Sequence, residues 1–264
     1  MSGWARLNLT VWQNRSIVMR ILTELISSFD AENPNFRPTE IYNENWLVKL
    51  IMWQASTIFN RDFPLGFLPG STWFSEPLLP TAFKARFRGD KLSESRTNAD
   101  GVIGHFLIGE RGKADFDLKP TADQFTVIEA KIGAPLSKGT NNASYFDQAA
   151  RYIACMAEVI KQAKVHPASI SRIDFIVLAP VESIVEGKFR KQMERDSIRS
   201  KVKRRVSEYD GALNDWYHDH FEPTLDCIRL ASLSWEETIQ WIGKEKADVA
   251  DTLSDFYSRC LEFN

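Results

Sequence analysis

The run Lys113-Ala-Asp115-Phe-Asp117-Leu118, the turn Lys119-Pro-Thr-Ala-Asp123-Gln124 and the segment Phe125-Thr-Val-Ile-Glu129-Ala-Lys131 decide how this chain is read. The last segment is apolar and β-branched, and it ends in two charges. Side chains of a strand alternate with a period of two, so Glu129 and Lys131 share a face. Pro120 to Asp123 carries turn residues, and a turn there folds the preceding strand back antiparallel. Asp115 then falls roughly opposite Glu129. Two carboxylates and one ammonium converge at the end of a hairpin. Hard oxygen ligands in that arrangement suit Mg²⁺ or Mn²⁺, and a lysine beside them suits a phosphodiester centre.

Asp100 is the alternative acid. Thr97-Asn-Ala-Asp100-Gly-Val-Ile also opens a strand, expected to run to Ile108. In a three-strand meander its start lies at the end of the sheet away from Glu129, which favours Asp115. If residues 109–122 are an insertion, Asp100 pairs with Glu129 instead.

Outward from this hairpin the pattern is helix, strands, helix, strand. Residues 15–30 read as a first helix, and a second is expected from Pro38 to Ile58, with Trp46, Leu47, Leu50, Ile51 and Ile58 on its apolar stripe. Prolines and glycines between 60 and 80 predict an irregular loop, and residues 83–87 a short strand. Gly109 to Gly112 reads as a turn. After the hairpin, Ser144 and Asp147 suggest a capping box, followed by a helix with Phe146, Ala149, Ala150, Ile153, Ala154, Ala157 and Ile160 on its buried face. Residues 172–179 form a near-continuous apolar run, expected as a strand buried on both faces and parallel to a neighbour. Residues 181–208 read as a long charged helix and 225–231 as a strand. Ser234-Trp-Glu-Glu237 is a capping box opening a helix through Trp241, and 248–261 reads as the closing helix.

This order, with Asp115, Glu129 and Lys131 placed on it, resembles the PD-(D/E)XK nuclease superfamily. The resemblance covers about 39–180. Glu44-Asn-Trp-Leu-Val-Lys-Leu looks like the Glu-Asn-x-Leu segment of its opening helix, and Gln148 with Tyr152 looks like its Gln-x-x-x-Tyr pair. Ile132-Gly-Ala is a common continuation of the signature; Ala114 in place of proline before the aspartate is a departure. The resemblance implies an α/β fold with a restriction-endonuclease-like core: a central mixed β-sheet flanked by helices (αβββαβ), with helical N- and C-terminal additions. It implies a single domain over 1–264, with 181–264 a mostly helical extension. It further implies Mg²⁺- or Mn²⁺-dependent hydrolysis of nucleic acid, DNA before RNA, in defence or repair. Asp115 and Glu129 would hold the metal. Glu44 would hold it through water, Lys131 would orient the attacking water, and Gln148 would orient the site or touch the substrate. The alternative is a nuclease-fold module that binds nucleic acid or a protein partner without cutting. Cutting both strands of a duplex calls for a homodimer or a partner protein.

Each feature also has a plain reading. Glu129 and Lys131 can be the solvated face of an edge strand, Glu44 can solvate its helix, and Gln148 and Tyr152 can be ordinary helix residues. The basic stretch from Lys188 to Arg205 can be a solvated helix laced with i,i+4 pairs, or an arm gripping phosphate through Lys201, Lys203, Arg204 and Arg205, with Tyr152 nearby. His218-Asp-His220 lacks a third ligand nearby.

The chain has 264 residues and a net charge of −2, so any nucleic-acid footprint is local rather than global. Cys155, Cys227 and Cys260 stand far apart, which argues against a disulfide framework or a structural zinc site. The start, Met1-Ser-Gly-Trp, shows no signal-peptide core, and apolar stretches are too short to span a bilayer. A cytoplasmic protein without membrane partners is expected. Phosphate-loop, GxGxxG and GxSxG motifs are missing, which sets aside nucleotide-driven motors and the common serine hydrolases.

Overall fold

The computed structural model describes residues 37–58, 63–109, 116–139 and 143–264. The expected helix at 15–30, the turn at 109–112 and Asp115 lie outside the described residues.

Among the described residues, a 3₁₀ turn, Pro38–Glu40, precedes helix α1, Glu44–Ala55. The helix begins six residues later than Pro38 suggests because Asn43 is its cap: the Asn43 side chain accepts from the Trp46 amide at 3.0 Å. Leu47, Val48, Ile51, Met52 and Ala55 form its buried stripe. Trp46 and Trp53 lie outside that stripe, 44% and 59% exposed.

Strands β1 (Thr72–Ser75), β2 (Leu78–Leu79), β3 (Thr97–Asn98), β4 (Gly101–Gly104), β5 (Phe106–Ile108), β6 (Phe116–Leu118) and β7 (Gln124–Ala130) follow. Part of the expected loop at 60–80 is therefore strand, because Thr72-Trp-Phe-Ser pairs antiparallel with β4. The expected strand at 83–87 is irregular; Phe83 is a buried anchor among Phe146, Tyr209 and Trp216 instead.

Helix α2 (Gln148–Gln162) crosses to strand β8 (Arg172–Ala179). Its cap is Asp147, whose side chain accepts from the Ala150 amide at 3.2 Å, so Ser144 lies upstream of the helix. Residues 181–208 do not form one helix. They break into α3 (Val181–Val185), α4 (Arg190–Met193) and α5 (Arg195–Ser207), with Gly187 at φ +72°. Short helix α6 (Asn214–Trp216), a π-turn at Tyr217–Phe221 and α7 (Glu222–Cys227) lead to β9 (Arg229–Ser234). That strand starts four residues later than expected, because Glu222–Cys227 is helical. Ser234 caps α8 (Trp235–Gly243), accepting from the Glu237 amide at 3.1 Å, and α9 (Ala247–Phe263) closes the described chain.

The main sheet has the order β1-β4-β7-β8-β9. The β1–β4 and β4–β7 pairs are antiparallel, whereas β7–β8 and β8–β9 are parallel. The chain is α/β, with a five-stranded mixed sheet flanked by helices. Alternation splits the strands between two cores. Val102, Phe125, Val127, Phe175 and Val177 pack with α2 and α5; Ile103, Ile128, Ala130, Ile176 and Leu178 pack with α1, α8 and α9. Both faces of β8 are covered, which explains its unbroken apolar run. Among the described residues, no helix is long and apolar enough to cross a membrane.

One feature of the sheet redirects the site. The expected meander does not form, because Phe116–Leu118 pairs with Phe106–Ile108 in a separate two-stranded ladder and not with β7. The chain leaves the main sheet at Gly104, which sits at φ +157° with its backbone against strand β7. A Cβ there would stand 2.2 Å from the Gln124 carbonyl oxygen, so only glycine permits this approach. The excursion lets β4 itself lie directly beside β7.

Candidate functional site

The β4–β7 register places Gly101 opposite Ile128 and Gly104 opposite Phe125. Asp100, one residue before Gly101, therefore meets Glu129, one residue after Ile128. Val102 and Val127 belong to the core under α2, and Asp100 and Glu129 lie two residues beyond them on the same face. The Asp100 carboxylate accepts the Ala130 amide at 2.7 Å, which locks it against the end of β7. The separate ladder of β5 and β6 hangs from the Gly104 end of β4, the opposite end from Asp100.

Three more side chains close on Glu129, which is 2% exposed. Lys131 forms an ion pair with its Oε1, and the Gln148 amide group donates to the same oxygen. The Tyr152 hydroxyl lies 2.6 Å from Oε2 and 2.6 Å from the Asn98 carbonyl oxygen. Gln148 and Tyr152 reach the site together because residues four apart share a helix face. Gln148 is itself oriented by the Ser137 amide, which donates to its Oε1 at 2.8 Å. Glu44, the first residue of α1, accepts the Ile132 amide at 3.1 Å and so joins the site from the other side of the sheet's end. The backbone of Lys131 is fixed at both polar groups: its amide donates to Leu178 at 2.8 Å, and its carbonyl accepts from the Trp235 indole at 2.9 Å.

Three carboxylates stand against one ammonium here. Burial and then repulsion from Glu129 raise the Asp100 pKa from 3.8 to about 8, against the opposing effects of the Ala130 amide and Lys131. Burial also raises Glu44. Burial pulls Lys131 down, but the Glu129 charge and hydrogen bond, with Glu44 and Asp100 behind them, hold it above its ordinary value. Lys131 is therefore an ammonium at neutral pH, suited to stabilising negative charge rather than accepting a proton. Burial, followed by the Glu129 and Asp100 charges, pushes the Tyr152 phenol well up, so it stays a hydrogen-bond donor.

Sequence-predicted residues outside this group sort differently. Arg205 is 1% exposed, with Glu208 at 2.6 Å and Glu94 at 3.4 Å, and it donates to the Leu92 carbonyl. It is a core strut, so the phosphate-gripping expectation for Arg205 is corrected. Tyr152 is 1% exposed and spends its hydroxyl inside, so it also leaves the expected nucleic-acid surface. Lys201 pairs with Asp147 at 2.7 Å, bracing the start of α2. Lys203 and Arg204 are exposed; Arg204 stacks on Tyr145 at 3.7 Å. His218 and His220 lie in the π-turn, and among the described residues no group of three or more His, Cys, Asp and Glu side chains is arranged to hold a metal ion. Sequence reasoning passed over Trp235, Asn98 and Ser137, whose roles come from tertiary contacts. Trp235 carried one signal, its place directly after the Ser234 cap.

A second buried carboxylate serves structure. Asp174 accepts from Arg172 at 2.6 Å, Arg229 at 2.8 Å and Thr126 at 3.2 Å. With Gln124 and Arg172 it ties the segment containing Pro64 and Gly66 to the far end of the sheet.

No family model, curated protein or solved structure matches this chain.

Proposed function

We propose that the protein is a metal-dependent phosphodiester hydrolase of restriction-endonuclease-like fold acting on nucleic acid, with DNA as the first substrate to test. The observation that carries this reading is the meeting of Asp100, Glu129 and Lys131 on one face of adjacent strand ends, with Glu44 and Gln148 brought in from the flanking helices. The order of elements around these residues supports the same reading. Of the two acids weighed from the sequence, this reading takes Asp100; Asp115 lies outside the described residues.

The residues fit a hard divalent cation. Every candidate donor is a carboxylate oxygen, and Asp100 and Glu129 repel one another, which a cation relieves. In the described contacts Asp100 and Glu44 each accept one backbone amide through a single oxygen, which leaves acceptor positions on both. Asp100 and Glu129 would hold Mg²⁺ or Mn²⁺, with Glu44 beside them. When bound, the ion lowers the pKa of a water and offsets charge on the phosphoryl oxygens. Lys131 supplies a fixed positive charge to the same oxygens and orients the attacking water. Gln148 and Tyr152 hold the Glu129 carboxylate in one orientation.

A second reading is a nucleic-acid-binding module that does not cut. The contacts of Glu129 favour it: Lys131, Gln148 and Tyr152 already satisfy that carboxylate. Plasmid cleavage with Mg²⁺ or Mn²⁺ separates the two. The hydrolase reading expects nicking or linearisation by the wild type and a loss of at least about 100-fold in folded Lys131→Ala, the scale of one lost electrostatic contact in a transition state. Wild-type protein that shifts DNA mobility without cutting supports the module.

A further inference from the structure

Among the described residues, the seven buried side-chain atoms without a hydrogen-bond partner are not evenly spread. Three of them, both Glu94 oxygens and Arg151 Nε, belong to residues lining one cleft. Native interiors seldom leave buried donors and acceptors unmet, and those that persist mark a bound water or ligand. The cleft measures about 320 Å³ and lies between residues 93–98 and the first turns of α2. Gln148 and Tyr152, which touch Glu129, line it as well, so it adjoins the carboxylate site. Its wall is polar, built from Ser93, Ser95, Thr97 and Asn98, with Arg96 and Arg151 as cations.

Glu94 is 7% exposed at its side chain. Behind it stands Arg205, whose Nε lies 3.4 Å from Oε1 and balances its charge. With Arg205 on Oε1, this charge-balanced carboxylate keeps Oε2 without a partner among the described contacts, ready to receive an N–H donor. Arg151 offers a donor in the same cleft, and Arg96, exposed at the rim, offers charge. This volume suits one mononucleotide and is too small for a duplex.

We propose that this cleft binds one unpaired nucleotide of the substrate strand, next to the phosphodiester held at Asp100, Glu129 and Lys131. Arg151 and Arg96 receive its phosphate oxygens, and Glu94 accepts from the amino or imino group of its base. A cleft of this size admits a base edge to Glu94 only when the base is out of its pair, so the substrate is a single strand or a junction with an unpaired end. This inference rests on the phosphodiester reading of the adjoining site.

The test measures binding of the full chain to labelled oligonucleotides by fluorescence anisotropy in EDTA, so that no cutting intervenes. A duplex with a single-stranded tail is compared with the same duplex made blunt. The expected result is at least tenfold tighter binding of the tailed duplex. In Arg151→Gln that ratio falls to about twofold or less, and Glu94→Gln, which keeps the shape and removes the charge, narrows it as well. Equal binding of both duplexes by wild type, or a ratio unchanged in Arg151→Gln, overturns the inference. Cleavage assays run alongside judge the other reading separately. A protein that cuts nothing yet keeps the ratio and loses it in Arg151→Gln supports the cleft and removes the hydrolase.

Discussion

Replacing Asp100 by asparagine separates stability from function at this site. Asp100 is held between the Ala130 amide and the Glu129 charge, with its pKa raised from 3.8 to about 8. The folded protein thus keeps a proton on Asp100 that the unfolded chain releases above about pH 4. With the folded pKa above the unfolded one, the stability contribution is fully present below pH 3.8. It is lost as pH rises toward about 8, because the folded state binds more protons throughout that window. One pKa unit corresponds to about 1.4 kcal/mol, so the shift sets a ceiling of about 6 kcal/mol. Water entry and local relaxation on ionisation reduce the expected cost to about 2–4 kcal/mol at pH 8. Asparagine keeps an oxygen for the Ala130 amide and carries no charge. Urea unfolding in EDTA should therefore find Asp100→Asn more stable than wild type by about 2–4 kcal/mol at pH 8, with the gap nearly closed at pH 4. Adding Mg²⁺ should stabilise wild type and leave the variant unmoved, since only a ligand of the folded state shifts the equilibrium. A variant less stable than wild type at pH 8, or a gap independent of pH, refutes the electrostatic reasoning.

Tyr152→Phe removes the hydroxyl beside Glu129 Oε2 and the Asn98 carbonyl, and should cost about 1–2 kcal/mol in chemical denaturation. Arg205→Ala leaves Glu94 and Glu208 without their buried cation, and should cost about 3–5 kcal/mol, read as a lower urea midpoint. Gly104→Ala forces a methyl group into the Gln124 carbonyl and should cost about 2–4 kcal/mol or block folding, measured by circular dichroism.

The sequence was most legible where one strand or helix contains its own explanation. The period of β7 put Glu129 and Lys131 on one face, the spacing of Gln148 and Tyr152 put both on one turn of α2, and the apolar run of β8 announced burial on two sides. Ser234 capped its helix as expected because that hydrogen bond spans only three residues. Pairing partners were harder to read. Nothing local distinguishes a strand that joins the main sheet from one that leaves it, and Phe116–Leu118 found Phe106–Ile108 as its neighbour. The meeting of Asp100 with Glu129 turned on that pairing, and its clue, Gly104, looks in sequence like any other strand glycine. Arg205 misled for a related reason. It stands in a basic run, but its position on α5 points it into the aromatic core beside Phe83, Phe146 and Tyr209.

A crystal of the full chain soaked in Mn²⁺ and measured at the manganese absorption edge tests the central claim most directly. The account predicts one strong anomalous peak within coordination distance of both the Asp100 and Glu129 carboxylates, lost in Asp100→Asn. A peak elsewhere, or an empty site at saturating Mn²⁺ with Asp100 and Glu129 still side by side, contradicts it.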